Sequence, residues 1–362
     1  MKRTIFFLYA FMLFLVSCNT NSATKNDENV LDFDTISIPI DYPYLSDYTL
    51  SSSCLKNDTI LWSGYNHMTH SIDIFDITNK RIYNTIPLEN DGPNGVINIS
   101  NYILNDSAII FLDYQNLLTS ISISRGLAFN KIEPLSDTEY QINYNGLLSG
   151  TFNTTLNIND NRLLLPIFPI KEQNIKDLLA ISIDLSTNEK VKLPLIYPNE
   201  MKEDLSQYGS LTYISLMDYK DRIVYNFPYS SNIYIYWKEN SLVETIKFNS
   251  NKTKNKSDKN SADLGDYRAL YEYENNSLRF REVYYDNNSN KYIRIHHDAL
   301  EDKICRDSYL MSYDNTRNFI KEYKLPDSFS HNYFIKDNKL FFLMKDTDDT
   351  ELKFAIIDIN NI

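Results

Sequence analysis

The sequence predicts an all-β protein, a six-bladed β-propeller closed by an N-terminal strand that completes the last blade. Three observations carry this. A strand-turn-strand unit recurs down the chain, a short Asp- or Asn-led signal precedes each recurrence, and the piece missing from the final copy stands near the N-terminus. The clearest copy of the unit is Ser71 to Leu88. Ile72, Ile74, Phe75 and Ile77 put apolar groups on both faces of a strand, as a sheet covered on both sides requires. Asp76 to Lys80 supply turn chemistry, since Asp and Asn bond nearby backbone and tolerate the left-handed region. Arg81 to Leu88 is the return strand, closed by a proline that cannot continue the ladder.

Ile181 to Leu195 repeats the plan, with Asp184 ending the first strand, Thr187-Asn188 in the turn and Pro194-Leu195 at the close. Tyr309 to Pro326 repeats it again, Glu133-Pro134-Leu135 closes a weaker copy, and Ile233 to Phe248 keeps strand-turn-strand without the proline. The preceding signals are Asp58-Thr59-Ile60, Asp106-Ser107-Ala108, Asn161-Arg162-Leu163, Asp221-Arg222-Ile223, Asn290-Lys291-Tyr292 and Asn338-Lys339-Leu340. They lie roughly 50 to 70 residues apart, a spacing that suits propeller blades carrying insertions. Six signals mean six blades. The sixth stops at its turn with Ala355 to Ile362, whereas Phe33 to Ile40 has the closing form, including Pro39. Residues 33 to 40 are therefore expected to complete blade six, which closes the ring and leaves only short protected edges.

Taken in order, residues 1–17 read as a signal peptide, with Lys2 and Arg3 ahead of an apolar run from Ile5 to Val16 that is short for a membrane span. Leu15-Val16-Ser17-Cys18 resembles the lipobox of bacterial lipoproteins, which implies acylation of Cys18; the alternative is an ordinary signal peptide with an incidental cysteine. Residues 18–30 are polar and without periodicity, a lipidated flexible tether. From residue 31 to 362 the composition is even and no second domain boundary shows. A propeller distributes its core between blades, which accommodates this length. With 28 Tyr and only 8 Gly, many tyrosine rings are expected between sheets with their hydroxyls at a rim. The net charge of -12 argues against a nucleic-acid partner, which wants a basic footprint. Asn251 to Asn260 is basic and polar and is expected to be a mobile insertion between blades four and five, with a short helix following in Ala262 to Glu274, either as a lid or as an ordinary loop.

Chemistry-bearing residues are sparse. Cys54 and Cys305 fall in different blades and are expected to be free thiols. His67 and His70 share one loop without further convergent ligands, and the adjacent His296 and His297 point to opposite faces, so neither a metal site nor a cofactor is expected. Asp346 to Glu351 lacks the glycine and the order of an EF-hand loop and reads as a solvated turn. One hairpin concentrates Arg279, Arg281, Tyr284, Tyr285, Asp286, Tyr292 and Arg294. Alternation would put Arg279, Arg281 and Tyr285 on one face and Tyr284 and Asp286 on the other. Either these cations form an inter-blade ion-pair lattice, or they reach the central channel to meet an anionic or sugar ligand. In a propeller the loops from second to third strand, and those between blades, open on one face. That face is expected to gather His67, His70, Asp113, Tyr114, Tyr229, His297, Arg306, Lys345 and Asp346 around one opening.

The lipobox, the six copies and the hairpin Tyr284-Tyr285-Asp286 to Tyr292-Ile293-Arg294 together resemble the six-bladed β-propeller lipoproteins of Bacteroidetes, a TolB-like domain family of unknown function. The resemblance spans nearly all of the mature chain. Its motifs are architectural, so it implies a fold and an outer-membrane location, on the periplasmic or cell-surface side, and assigns no site residue. No Ser/His/Asp order, phosphate loop or paired CxxC occurs. The expectation is a non-enzymatic binding or scaffold lipoprotein, attached to the membrane through Cys18 and engaging a protein, peptide or glycan across the loop face. The alternatives are a glycan-active propeller enzyme, a lyase or hydrolase with a paired acid and base, and an assembly component acting through its blade sides.

Overall fold

The computed structural model describes residues 31–362 apart from 46–47, 93–94, 114–116, 125–127, 134–139, 143–156, 160, 170–179, 200–207, 209–210, 261–265, 301–305, 315–318 and 346–348. The signal peptide, Cys18, the tether, Tyr114, Cys305 and Asp346 lie outside the described residues. The remainder, Leu31–Ile362, is one compact unit.

Strand β1 (Asp34–Pro39) comes first in the chain and belongs to the last sheet. Blade one follows with β2 (Ser51–Lys56), β3 (Thr59–Asn66), β4 (Ser71–Asp76) and β5 (Arg81–Pro87), and blade two with β6 (Ile99–Leu104), β7 (Ala108–Asp113), β8 (Leu118–Ser122) and β9 (Ala128–Ile132). In blade three β10 (Tyr140–Ile142) and β11 (Asn157–Asn159) both pair with β12 (Arg162–Pro169), ahead of β13 (Ala180–Asp184) and β14 (Lys190–Leu193). Blade four holds β15 (Ser215–Asp218), β16 (Arg222–Asn226), β17 (Asn232–Trp237) and β18 (Leu242–Lys247). Blade five holds β19 (Arg279–Asp286), β20 (Lys291–His297), β21 (Ser308–Tyr313) and β22 (Phe319–Lys324). Blade six has β23 (Phe329–Lys336), β24 (Lys339–Met344) and β25 (Glu351–Asp358), with β1 as its outermost strand. Six antiparallel sheets result, as the six signals require.

The closing strand is set by register from Asp34↔Ile356 to Pro39↔Glu351, extended by Ile40 N–H donating to Thr350 O at 2.9 Å. The Asp- and Asn-led signals are the turns between first and second strands. Asn57 and Asp58 have φ of 47° and 60°, Asp337 and Asn338 have 50° and 56°, and Asn161 and Asn290 are also left-handed. Short amide and carboxylate side chains tolerate that backbone, which explains the residue choice. At the next turn Asp76 Oδ1 accepts from Asn79 N–H at 2.9 Å, and Asp184 Oδ1 does the same for Ser186 and Thr187.

The core is six separate clusters, one between each pair of neighbouring blades. Alternation along a strand feeds both neighbours: Leu163 and Leu165 pack toward blade two while Leu164 packs toward blade four. Ile38 enters the seam between blades six and one, beside Trp62, Leu352 and Phe354. At that seam Gly64 permits a close approach, since a β-carbon there would stand 2.2 Å from the Tyr48 ring. Tyr48 in turn donates to the buried Asp73 carboxylate at 2.9 Å.

Two expectations are corrected. A bulge between Phe280 and Val283 inserts one residue into β19, so the simple alternation fails. Arg281 and Tyr284 both lie against Tyr333 of blade six, whereas Tyr285 packs on Tyr219 and Tyr292 toward blade four. Residues 250–257, read from composition as a mobile insertion, are docked on blades four and five through main-chain and serine contacts. Ser250 Oγ donates to Glu322 at 2.5 Å, Ser257 N–H to Tyr229 O at 2.8 Å, and Ser230 bridges to Lys256. Helix α1 (Tyr267–Asn276) follows; Asp266 caps it by accepting from the Arg268 and Ala269 amides.

Candidate functional site: a loop-face cleft between blades five and six

The loop face presents a cleft of about 250 Å³ between blades five and six. Its blade-five wall comes from the end of β20 and the start of β21, its blade-six wall from β23 and β24. Backbone bonds join the ends of the strands that flank the cleft: Asp298 N–H to Asp307 O at 2.8 Å, Leu325 N–H to Ser308 O at 2.8 Å and Lys345 N–H to Ser328 O at 2.7 Å. Leu300 is held by its amide donating to Asn276 O at the end of α1 at 2.9 Å, so the docked insertion also shapes the cleft.

Leu300, Leu325, Phe329 and Phe342 supply an apolar floor, with the Phe329 and Phe342 rings stacked at 4.7 Å. Arg306, Lys345, His297 and Asp327 are the charged and titratable groups around it. His297 Nδ1 lies 2.7 Å from Ser308 Oγ. Burial lowers the Arg306 guanidinium to about 10, which leaves it charged at neutral pH. Its sequence neighbour Asp307 is engaged instead by Lys324, at 2.7 Å. Among the described residues no carboxylate forms an ion pair with Arg306. Arg279, just behind, is lowered to about 9 by burial first and by the Arg306 charge second.

A second cavity of about 350 Å³ is the central channel, lined by first strands of five blades, including Ser52, Tyr102, Met217, Glu282, Tyr284 and Lys336. Tyr333 borders both cavities. Burial lowers the Lys336 ammonium here, and raises the nearby Cys54 thiol to about 11, consistent with a free and unreactive cysteine.

The expected binding residues therefore divide. His297, Arg306 and Lys345 meet in the cleft, and Tyr285 borders the channel with Tyr284 and Asp286. His67 and His70 occupy the β3–β4 loop of blade one, His67 exposed and His70 held by Tyr65 Oη at 2.8 Å. Asp113, at the end of β7, accepts the Leu117 amide at 2.8 Å. Tyr229 sits on a second-to-third-strand loop but is fully buried between Tyr208 and Phe227, because the docked insertion covers it. Arg294 is buried and donates to Ser231 O at 2.9 Å and Phe248 O at 2.8 Å, tying blade five to blade four. Arg279 is buried on the Glu274 carbonyl of α1. Burial and these bonds make Tyr229, Arg279 and Arg294 structural, with backbone carbonyls among the acceptors where carboxylates were expected. Arg281 is buried beside Glu282, over the Tyr333 ring. Sequence reasoning missed Leu300, Phe329 and Tyr333; the loop-face rule, applied to the segment after Leu325-Pro326, points at Phe329. Among the described residues no three His, Cys, Asp or Glu side chains converge as metal ligands, and no helix is long and apolar enough to cross a membrane.

Fold and cavities together define a six-bladed β-propeller with a cationic, apolar-floored cleft on its loop face. The family model for the domain of unknown function DUF4221 matches residues 20–324, and the chain belongs to that family. It is similar to a solved member of the family from Bacteroides vulgatus, at 19% identity, with a TM-score of 0.71 over 91% of this chain and 99% of that one. A candidate exported protein from Bacteroides fragilis is similar at 12% identity and a TM-score of 0.55, over 92% of this chain and 97% of that one. At these identities the likeness shows the fold. No curated protein matches the chain.

Proposed function

We propose that this protein is an exported lipoprotein, acylated at Cys18 and held at the outer membrane, whose propeller is a non-enzymatic binding module presenting the loop-face cleft. The observation that carries the reading is the meeting of His297, Arg306 and Lys345 over the floor of Leu300, Leu325, Phe329 and Phe342. A few polar groups set around an apolar floor are the ordinary composition of a ligand pocket. The lipobox supports the address, and a structural relative from Bacteroides fragilis is named as a candidate exported protein.

The test is a screen of the full chain against arrayed glycans, peptides and small organic acids, with an Arg306→Gln/Lys345→Gln variant alongside. Retention of an unaltered ligand by wild type, lost in the variant, supports a binding module. A ligand recovered cleaved or rearranged favours the lyase or hydrolase alternative. Membrane fractionation with Cys18→Ser tests the anchor: release of the variant into the soluble fraction is the expected result.

A further inference from the structure

We infer that the cleft takes a small organic carboxylate, its anionic head held by Arg306 and Lys345 and its apolar body lying on Leu300, Leu325, Phe329 and Phe342. The inference rests on the binding-module reading and gives that module's ligand a chemistry. The whole chain carries -12, yet among the described residues that line the cleft Arg306 and Lys345 stand with one carboxylate, the exposed Asp327. Asp307, next in sequence to Arg306, is engaged by Lys324 at 2.7 Å.

A partly buried guanidinium normally recovers its lost hydration from a carboxylate. Arg306 has lost the hydration, as its lowered proton affinity records, and faces a second guanidinium in Arg279. A ligand carboxylate would supply a countercharge through paired, charge-assisted hydrogen bonds from the planar fork. The floor then selects the kind of anion. Inorganic phosphate would leave four apolar side chains wet, whereas an apolar body removes them from water. The volume of about 250 Å³ lies just under the range of about 300–1,000 Å³ typical for drug-sized ligands, so the ligand is fragment-sized. Asp327 at the edge disfavours a second negative charge, so a monoanion fits best.

The experiment is calorimetric titration of the full chain with octanoate, octanamide, glucuronate and inorganic phosphate at low and at physiological salt. Octanoate should saturate one site and bind at least about tenfold more tightly than octanamide, its neutral counterpart. Glucuronate and phosphate should bind more weakly than octanoate, because neither covers the floor. Arg306→Gln should weaken octanoate at least about tenfold and leave octanamide nearly unchanged, and Lys345→Gln should act the same way less strongly. Leu300→Ala should weaken octanoate and octanamide alike. Octanoate no tighter than octanamide, or indifferent to both charge variants, overturns the inference. If the acids fail but a neutral glycan or peptide binds and is lost in Leu300→Ala, the ligand class is wrong and the binding module stands. If octanoate binds as expected and is chemically converted, the carboxylate site stands and the non-enzymatic reading falls.

Discussion

Replacing Ile38 by Ala tests whether the N-terminal strand fastens the ring. Ile38 is fully buried on β1, paired with Leu352 and packed in the seam cluster with Trp62 and Phe354. The substitution removes three carbons, worth about 2.4 kcal/mol at about 0.8 kcal/mol per buried methylene. The cavity left behind adds to this. The Trp62 and Phe354 rings stand edge-on at 5.2 Å and Phe334 and Phe341 are stacked at 4.7 Å, so this aromatic wall has little room to collapse inward. The total should fall in the middle of the 2–5 kcal/mol range for such truncations, about 3–4 kcal/mol. With a urea dependence of about 3 kcal/mol per molar, the midpoint should fall by about 1 M. The assay is equilibrium urea unfolding of the full chain followed by far-ultraviolet circular dichroism. Thr35→Ala on the same strand, at an exposed position, is the control for strand propensity alone. A midpoint shift for Ile38→Ala no larger than the control's would refute the claim that side-chain burial at this seam holds the circle closed.

Three further outcomes are expected. Arg294→Met should lower stability by about 2–4 kcal/mol, because the Ser231 and Phe248 carbonyls lose a buried cationic donor; a thermal melt a few degrees lower checks this. His296 is held well below its usual range by burial first and by the Arg294 charge second, and its Nε2 lies 3.2 Å from Glu322. The unfolded imidazole takes up a proton near pH 6.5 and the folded one does not, so its contribution is whole above that pH and is lost as pH falls below it. Burial raises the Glu322 carboxyl, so that group's contribution runs the other way and falls as pH rises; comparing wild type with His296→Gln from pH 7.5 to 5.5 isolates the histidine, whose slope of up to about 1.4 kcal/mol per unit should disappear in the variant. Asp58, at φ of 60°, should accept Gly without loss, whereas Asp58→Val should cost about 1–2 kcal/mol in the urea midpoint.

The blade count and the ring closure were legible because both are written locally. A left-handed turn needs Asn or Asp, as at Asn57-Asp58 and Asp337-Asn338, and a strand between two sheets needs apolar residues on both faces, as at Ile72 to Ile77. These demands act over a few residues, so even degraded copies keep them. Of the residues the loop-face rule gathers around one opening, His297, Arg306 and Lys345 line a common cleft, whereas His67, His70, Asp113 and Tyr229 do not.

What the chain by itself determined was therefore the repeat, the six sheets, the strand borrowed from its beginning and the side on which connections gather. Tertiary structure alone decided which polar groups stay open to a ligand. Tyr229 lies on the expected loop, yet Ser257 and Lys256 close over it from a segment whose composition reads as solvated. Arg281 and Tyr284 turn to the same neighbour because one bulged residue shifts the strand. Exposure is set by whatever distant chain happens to cover a side chain, as when Ser250 reaches Glu322 across 72 residues. No short window of sequence contains that information, and the chemistry of a pocket depends on it.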